Sequence, residues 1–152
     1  MLFRSRGVPE APGRVVNLIK SDNEQDKVWG MAYEIDDDTW KSNVMHHLDH
    51  RERGGYTQHT IRFHPKTPLA ELPAEGVDVT VYVGLETHRQ YAGPASLEEM
   101  AATIATAIGP SGRNADYLFN LAEAMRSIDP QDEHIFQLEQ VVRQILVEAN
   151  KG

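Results

Sequence analysis

The sequence predicts an α+β protein in which helices pack on a sheet or a partial barrel. Two segments, residues 28–35 and 77–83, alternate apolar and polar side chains with the two-residue period of a half-buried strand. Two segments in the C-terminal half, residues 114–128 and the residues after Pro130, instead place their apolar residues at the spacing of an amphipathic helix, and a capping box before them opens another helix. Because the strands and one helix come first and the other helices follow, we expect the helices to gather on one side of the sheet.

The composition is that of one globular domain. With 40% hydrophobic and 25% charged residues, the chain has none of the bias of a disordered protein. A chain of this length buries roughly 68–70% of its unfolded surface, so a core can form without disulfides or metals. We therefore expect a single domain that spans residues 1–152.

The residue content excludes several classes of site and partner. Because the chain contains no cysteine, it has no disulfide, no thiolate zinc site and no cysteine nucleophile. The N-terminal residues lack the apolar core of a signal peptide, and no apolar run approaches the roughly 18 residues of a membrane span. These features predict a cytosolic protein with no membrane partner. The net charge of −8 argues against nucleic-acid binding, because an acidic surface repels phosphate backbones.

The N-terminal part is predicted to form a hairpin followed by a helix. Residues 1–13 are rich in glycine and proline and form an extended lead-in. Residues 14–19 predict a first strand, and after a polar turn residues 28–35 predict the second strand of the hairpin. Three aspartates at 36–38 then provide capping and first-turn acids for a helix that ends near Arg53.

The rest of the chain carries two strand signals and then three helix signals. The predicted elements are, in order, a strand over 56–63, a proline-rich loop over 65–76, a strand over 77–83, a helix from about 97 to Gly109-Pro110, a helix over 114–128 and a helix after Pro130. Ser96 and Glu99 form the S-x-x-E pattern of a capping box at the start of the first of these helices.

Glu52 is the candidate catalytic residue, because of its position on the predicted helix. Trp40, Val44 and Leu48 are spaced by four residues and share one face. Glu52 is the next position on that line, where partial removal from water would raise its pKa toward the range of a general acid or base. Gly54-Gly55 then ends the helix and lets a ligand approach main-chain N–H groups. The alternative is a solvated glutamate at a helix end, which is common on protein surfaces.

Three histidines on the same helix raise a metal site as a further alternative. His46 and His50 are four residues apart, a spacing at which two imidazoles can hold one zinc ion, and Asp49 is adjacent. The sequence has no HExxH motif, so a third ligand would have to come from another part of the chain. We therefore expect solvated histidines and no metal.

Residues 109–114, Gly-Pro-Ser-Gly-Arg-Asn, resemble a phosphate-binding loop only superficially. They lack the lysine of a Walker motif, and a turn between two helices explains the same composition. A serine nucleophile is not indicated either, because the chain has no GxSxG elbow. Arg113 and Asn114 nevertheless start a predicted helix, with Tyr117 one turn later, and this arrangement can bind a carboxylate.

Six sequence blocks follow one another along almost the whole chain. They are RGVPEAPGRVV at 6–16, VWGMAYEI at 28–35, LDHRERGGY at 48–56, FHP at 63–65, YAGPASLEEMA at 91–101 and GPSGRNADYLFNLA at 109–122. Together they resemble the ChaC family of glutathione-specific γ-glutamylcyclotransferases. Several blocks in the right order are more specific than any one motif.

The resemblance implies a fold, an activity and a set of site residues. The implied fold is γ-glutamylcyclotransferase-like, a mixed or antiparallel partial β-barrel with helices packed around it. The implied activity is the conversion of the substrate glutathione to 5-oxoproline and cysteinylglycine, a lyase reaction without a cofactor or metal. The family's catalytic glutamate lies in an REKGGY-like motif that corresponds to Glu52. The residues expected to bind the substrate are Gly54, Gly55, Tyr56, Arg14, Asn114 and Tyr117.

One part of the family pattern is not found in this sequence. Members normally begin with a strand and turn that contain a YGSL-like motif, the expected cradle for the γ-glutamyl group, and no such motif occurs in the 152 residues. We therefore expect a domain that is incomplete at its N-terminus, with those strands missing. Two hypotheses follow, an active cyclotransferase and a catalytically inactive truncated relative with a binding or regulatory role. The sequence does not predict an oligomeric state.

Overall fold

The computed structural model describes residues 6–18, 21–23, 25–52, 56–67, 72–88 and 91–151, with the backbone alone described at 49–52. The elements, in chain order, are α1 (Asp38–Glu52), β1 (Tyr56–Phe63), β2 (Val77–Gly84), α2 (Leu97–Thr106), β3 (Ile108–Gly109), β4 (Gly112–Arg113), α3 (Asn114–Ile128) and α4 (Glu133–Ala149). The α+β class is therefore confirmed.

The chain forms two compact units, which are described separately. The helical unit consists of residues 1–16, 27–29 and 90–152, and it contains α2, α3, α4 and the short strands β3 and β4. The strand unit consists of residues 17–26 and 30–89, and it contains α1, β1 and β2.

The core of the helical unit lies where α2, α3 and α4 pack against one another. Its buried members are Ala101, Ile104, Ala115, Leu118, Ala122, Ile135, Leu138 and Val142. These residues recur every three or four positions along their helices, so each helix presents an apolar stripe to the other two. The three predicted C-terminal helices are confirmed, α2 from its capping box and α3 and α4 from this spacing. Small alanines let the helix backbones approach closely.

Helix α2 begins as predicted and ends earlier than predicted. The Ser96 side chain accepts a hydrogen bond from the Glu99 backbone N–H at 3.2 Å, and the Ser96 N–H donates to the Glu99 carboxylate at 3.0 Å. This reciprocal pair is the predicted capping box. The helix ends at Thr106 and not at Gly109-Pro110, because Ala107 has an extended backbone and leads into the hairpin of β3 and β4.

A buried carboxylate joins α3 to α4. Glu139 is 4% exposed and accepts hydrogen bonds from Arg126 at 2.5 Å and from Arg143 at 2.7 Å. Each guanidinium also lies over a ring, Arg143 at 4.0 Å from the Phe119 centroid and Arg126 at 5.4 Å from that of Phe136. Desolvation raises the pKa of Glu139, but the bonds and charges of the two arginines outweigh it and hold the pKa below its usual value.

The strand unit is organised by one antiparallel pair. Strands β1 and β2 are confirmed at the predicted positions, with Tyr56 opposite Gly84 at one end and Phe63 opposite Val77 at the other. Arg62 and Asp78 face each other in this register and form an ion pair at 3.3 Å.

The side chain of Asn17 binds the backbone of the last residue of β2. The Asn17 side-chain amide donates to the Gly84 carbonyl at 3.2 Å and accepts from the Gly84 N–H at 2.8 Å. A Cβ at position 84 would lie 3.0 Å from the same amide, so a glycine there leaves room for the bond. Asn17 therefore satisfies the backbone groups at the end of β2 as a neighbouring strand would.

The predicted N-terminal hairpin is wrong. Residues 14–18 and 28–35 are irregular, and no strand within the described ranges pairs with either segment. Trp29, Met31 and Tyr33 are 46%, 66% and 82% exposed. Alternation shows that a segment suits a pleated surface, but a strand forms only when a neighbour takes up its backbone hydrogen bonds. The backbone groups of Arg14 and the N–H of Val16 instead bond to side chains of α3, as described below.

Helix α1 has the predicted boundaries. The face of α1 that was predicted to be apolar is buried along only part of its length. The Asp37 carboxylate accepts a hydrogen bond from the Trp40 N–H at 2.8 Å, which caps the helix as the aspartate run predicts. Val44 and Leu48 are half-buried. Trp40, however, is 67% exposed, so the line that leads to Glu52 does not face a core in its first turn.

Replacement of Glu139 by glutamine should destabilise the chain by about 2 kcal/mol at neutral pH. This is less than the about 3–5 kcal/mol expected for a fully buried pair, because Arg126 and Arg143 are 48% and 57% exposed. Since the folded pKa of Glu139 is lowered, its contribution is present above about pH 4.5 and is lost as the pH falls through the folded pKa. Urea unfolding at pH 7 and at pH 3 measures both effects.

The matched control is Glu123→Gln, which removes a carboxylate that also pairs with Arg126 but is 80% exposed. It should change the unfolding free energy by no more than about 0.5 kcal/mol. Equal losses for the two variants would contradict a structural role for the buried carboxylate.

Candidate functional site

The first residue of α3 binds the backbone of a residue near the N-terminus. Asn114 is fully buried. Its side-chain oxygen accepts a hydrogen bond from the Arg14 N–H at 2.6 Å, and its side-chain nitrogen donates to the Arg14 carbonyl at 2.7 Å. One amide group therefore satisfies both backbone groups of Arg14, as an adjacent strand would.

Tyr117 binds the same segment one helical turn later. Its hydroxyl oxygen accepts a hydrogen bond from the Val16 N–H at 3.3 Å, and the Arg6 guanidinium lies 5.4 Å from its ring centroid. Burial raises the pKa of Tyr117, and the Val16 hydrogen bond and the Arg6 charge only partly offset this. The phenol therefore stays protonated at neutral pH and keeps its O–H hydrogen as a donor.

Arg14 directs its side chain to the loop that precedes α2. Its guanidinium donates to the Gly93 carbonyl at 3.1 Å, and Gly93 has a φ of +66°, a conformation that favours glycine. A guanidinium carries five N–H donors, so one such bond leaves others with which to bind a carboxylate. Arg14 is half-buried, which strengthens a charge-assisted bond relative to one in open water.

Gly13 permits the close approach of these elements. A Cβ at this position would lie 2.2 Å from the Arg6 carbonyl oxygen and 2.7 Å from the Asn114 side-chain oxygen. No side chain fits at those distances. Arg6 in turn donates to the Ser111 carbonyl at 2.7 Å, so residues 6–16 are fixed on the β3–β4 turn as well as on α3.

The residues predicted to form the site fall into two groups. The structure brings together Arg14, Asn114 and Tyr117 within the helical unit. In the strand unit, Glu52 is the last residue of α1, and its side chain lies outside the described residues, as do Gly54 and Gly55. Tyr56 is the first residue of β1 and is half-buried.

Three residues of the helical-unit cluster were not predicted. Arg6, Gly13 and Gly93 contact the Arg14 segment or belong to it. All three lie within the sequence blocks described above, but those blocks do not indicate which residues contact one another. The dipeptide Pro12-Gly13 is typical of a turn. It is the sequence feature that could have indicated an unusual backbone conformation at Gly13.

The loop over 109–114 is a hairpin between two helices. Ile108 pairs with Arg113 and Gly109 with Gly112, which has a φ of +102°.

Among the side chains that the structure describes, no group of three or more histidine, aspartate or glutamate residues could hold a metal ion. The described residues include no helix that is long and apolar enough to span a membrane.

Comparisons with known proteins give one consistent answer. The family model described as "ChaC-like protein" matches residues 2–145. The chain is 36% identical to Gamma-glutamylcyclotransferase 2-3 of Arabidopsis thaliana, over 96% of this chain and 73% of the relative. It is 38% identical to Glutathione-specific gamma-glutamylcyclotransferase 1 of Danio rerio, over 95% of this chain and 74% of the relative.

The fold is also found among solved structures. The crystal structure of the γ-glutamyl cyclotransferase specific to glutathione from yeast matches with a TM-score of 0.71 and 24% sequence identity. The match covers 92% of this chain and 79% of that chain. The two chains therefore share a fold.

Replacement of Gly13 by alanine should destabilise the chain by about 2–3 kcal/mol, because the added methyl group would overlap backbone and the Asn114 amide. The matched control is Gly30→Ala, where nothing lies within 4 Å of the added Cβ. That variant should be neutral or slightly stabilising. Thermal unfolding of the two variants beside wild type distinguishes them, and similar melting temperatures would contradict the tight approach at Gly13.

Replacement of Tyr117 by phenylalanine should remove one phenol that titrates above pH 10, because burial raises its pKa in the folded chain. Since the folded pKa is raised, this phenol contributes stability that is present below pH 10 and is lost as the pH rises through the folded value. Ultraviolet absorbance of tyrosinate measures the titration. Tyr33→Phe, at a site that is 82% exposed, is the control and should leave the titration of Tyr117 unchanged.

Proposed function

The chain belongs to the family of ChaC-like proteins, as its sequence blocks predict, and we propose that it is a glutathione-specific γ-glutamylcyclotransferase. The observation that carries this proposal is the match of the family model to residues 2–145. It is supported by a relative that is 38% identical and is named as specific for glutathione.

The helical-unit cluster supports a substrate of this chemistry. Glutathione carries two carboxylates, and Arg14 offers charged N–H donors from a fixed, half-buried position. Tyr117 offers a protonated hydroxyl beside it. We therefore propose that Arg14 binds a carboxylate of the substrate through charge-assisted hydrogen bonds.

In the proposed reaction Glu52 acts first as general base and then as general acid. It takes a proton from the α-ammonium group of the γ-glutamyl moiety, and the freed amine attacks the γ-carbonyl carbon of the same moiety. The new C–N bond closes a five-membered ring, and the bond to the cysteine nitrogen breaks. Glu52 returns its proton to that nitrogen, and the second proton lost by the attacking amine also passes to it, so the products are 5-oxoproline with a neutral ring amide and cysteinylglycine with an ammonium group. Ring closure is intramolecular, so positioning of the bound chain contributes much of the rate.

Two glycines and one tyrosine that follow Glu52 in the sequence complete the proposed site. Gly54 and Gly55 would present main-chain N–H groups to the oxyanion that forms at the γ-carbonyl, and Tyr56 would contact the substrate beside them.

We further propose that the sheet belongs to a partial β-barrel of the γ-glutamylcyclotransferase type, supported by the shared fold of the yeast enzyme. The cysteine-free composition supports a cytosolic location.

Replacement of Glu52 by glutamine should lower the rate of glutathione cleavage by about 10²–10⁴-fold, because glutamine cannot transfer the proton. Proton NMR of glutathione incubated with the purified chain detects 5-oxoproline and cysteinylglycine directly. Glu98→Gln, which alters an exposed carboxylate in the first turn of α2, is the matched control and should keep the wild-type rate.

The outcomes separate the hypotheses. Product formation that survives Glu52→Gln would exclude Glu52 as the acid–base group. A folded wild-type chain that forms no product would instead favour the inactive relative considered from the sequence.

A further inference from the structure

Asn114 was expected to bind the substrate, but its side chain is completely covered by other residues and has no exposed surface that a substrate could contact. The side chain is 0% exposed. Its oxygen and its nitrogen both bond the backbone of Arg14, at 2.6 and 2.7 Å. The Gly13 backbone closes over it, so closely that even a Cβ there would lie 2.7 Å from the Asn114 oxygen.

The same bonds determine where the Arg14 side chain starts. The amide of Asn114 holds the N–H and the carbonyl of Arg14, and Tyr117 holds the N–H of Val16 two residues on. Alternate backbone groups of one extended segment therefore rest on successive turns of α3. The guanidinium is fixed at its far end by the Gly93 carbonyl at 3.1 Å. Arg14 is thus held both at its backbone and at its tip.

We infer that Asn114 is a positioning residue, which fixes the backbone of Arg14 so that the guanidinium meets a carboxylate of the substrate, and that it does not touch the substrate. This inference rests on the proposed function, because it assigns the role of Arg14 in the same reaction. The position of the guanidinium matters for the rate, because a displacement of about 1 Å in a substrate-binding group can lower a rate by about 10²-fold.

A double-mutant cycle tests whether Asn114 acts through Arg14. The variants are Asn114→Ala, Arg14→Gln and the double variant, each assayed for kcat and KM with glutathione. We expect each single variant to lower kcat/KM by roughly 10–100-fold, chiefly through a higher KM, because a carboxylate contact is lost or displaced. The double variant should be no worse than Arg14→Gln alone, to within about 3-fold, because the group that Asn114 positions is already gone.

Losses that multiply in the double variant would overturn the inference, because they would mean that Asn114 acts on the substrate independently of Arg14. Asn120→Ala is the matched control, since it removes an exposed asparagine from the same helix and should leave kcat and KM unchanged. Should Asn114→Ala fail to fold, Asn114→Asp takes its place in the cycle. It keeps the volume and the oxygen that accepts from Arg14, and it loses the donor to the Arg14 carbonyl.

Amide hydrogen exchange tests the contact without using activity. In wild type the Arg14 and Val16 amides should be protected although neither lies in a strand, because each donates to a side chain of α3. Asn114→Ala should lose protection at Arg14 and keep it at Val16. Tyr117→Phe should do the reverse, and Asn114→Asp should keep both.

The two experiments fail in different ways. Unchanged exchange at Arg14 in Asn114→Ala would overturn the positioning contact, whatever the activity. A wild-type chain with the expected exchange pattern but no turnover of glutathione would instead refute the proposed function, and with it the part that Arg14 plays in that reaction.

Discussion

The hydrogen-bonded pair between the Asn114 amide and the Arg14 backbone is the contact on which the arrangement of the helical unit's N-terminal segment depends. Two bonds of 2.6 and 2.7 Å connect residues that are 100 positions apart. Because Asn114 is buried, loss of either bond would leave a polar group without water, and this makes the contact strongly specific. The tight passage at Gly13, the Tyr117 contact to Val16 and the Arg6 contact to the β3–β4 turn all lie along the segment that this pair holds in place.

In each of the two units a side-chain amide bonds to backbone groups as a neighbouring strand would. Asn114 does so for Arg14, and Asn17 does so for Gly84 at the end of β2. A carboxamide has the same donor and acceptor as a peptide group, so it can complete a backbone pair without a second strand. This explains how Arg14 satisfies its backbone groups although it is not part of a sheet.

The parts of the fold that carry local signals could be predicted from the sequence. The capping box at Ser96 and Glu99, the apolar spacing of α3 and α4 and the alternation of β2 each report on neighbours a few residues away. The hairpin predicted over 14–35 was wrong, because alternation does not say which partner accepts a backbone bond. The grouping of Arg14, Asn114 and Tyr117 was predicted through the family blocks, whereas Arg6 and Gly13 were missed because no local pattern encodes contacts with α3. The role of Glu52 remains a prediction from its position and from the family motif.

The distance along the chain between Arg14 and Asn114 also has a consequence during synthesis. A ribosome that adds roughly 5–20 residues per second delivers Asn114 about 5–20 s after Arg14, given the separation of 100 residues. Throughout that interval the N-terminal segment has been made but its anchor has not. The segment therefore docks only after the start of α3 has been made, so an early part of the helical unit waits for residues that are translated much later.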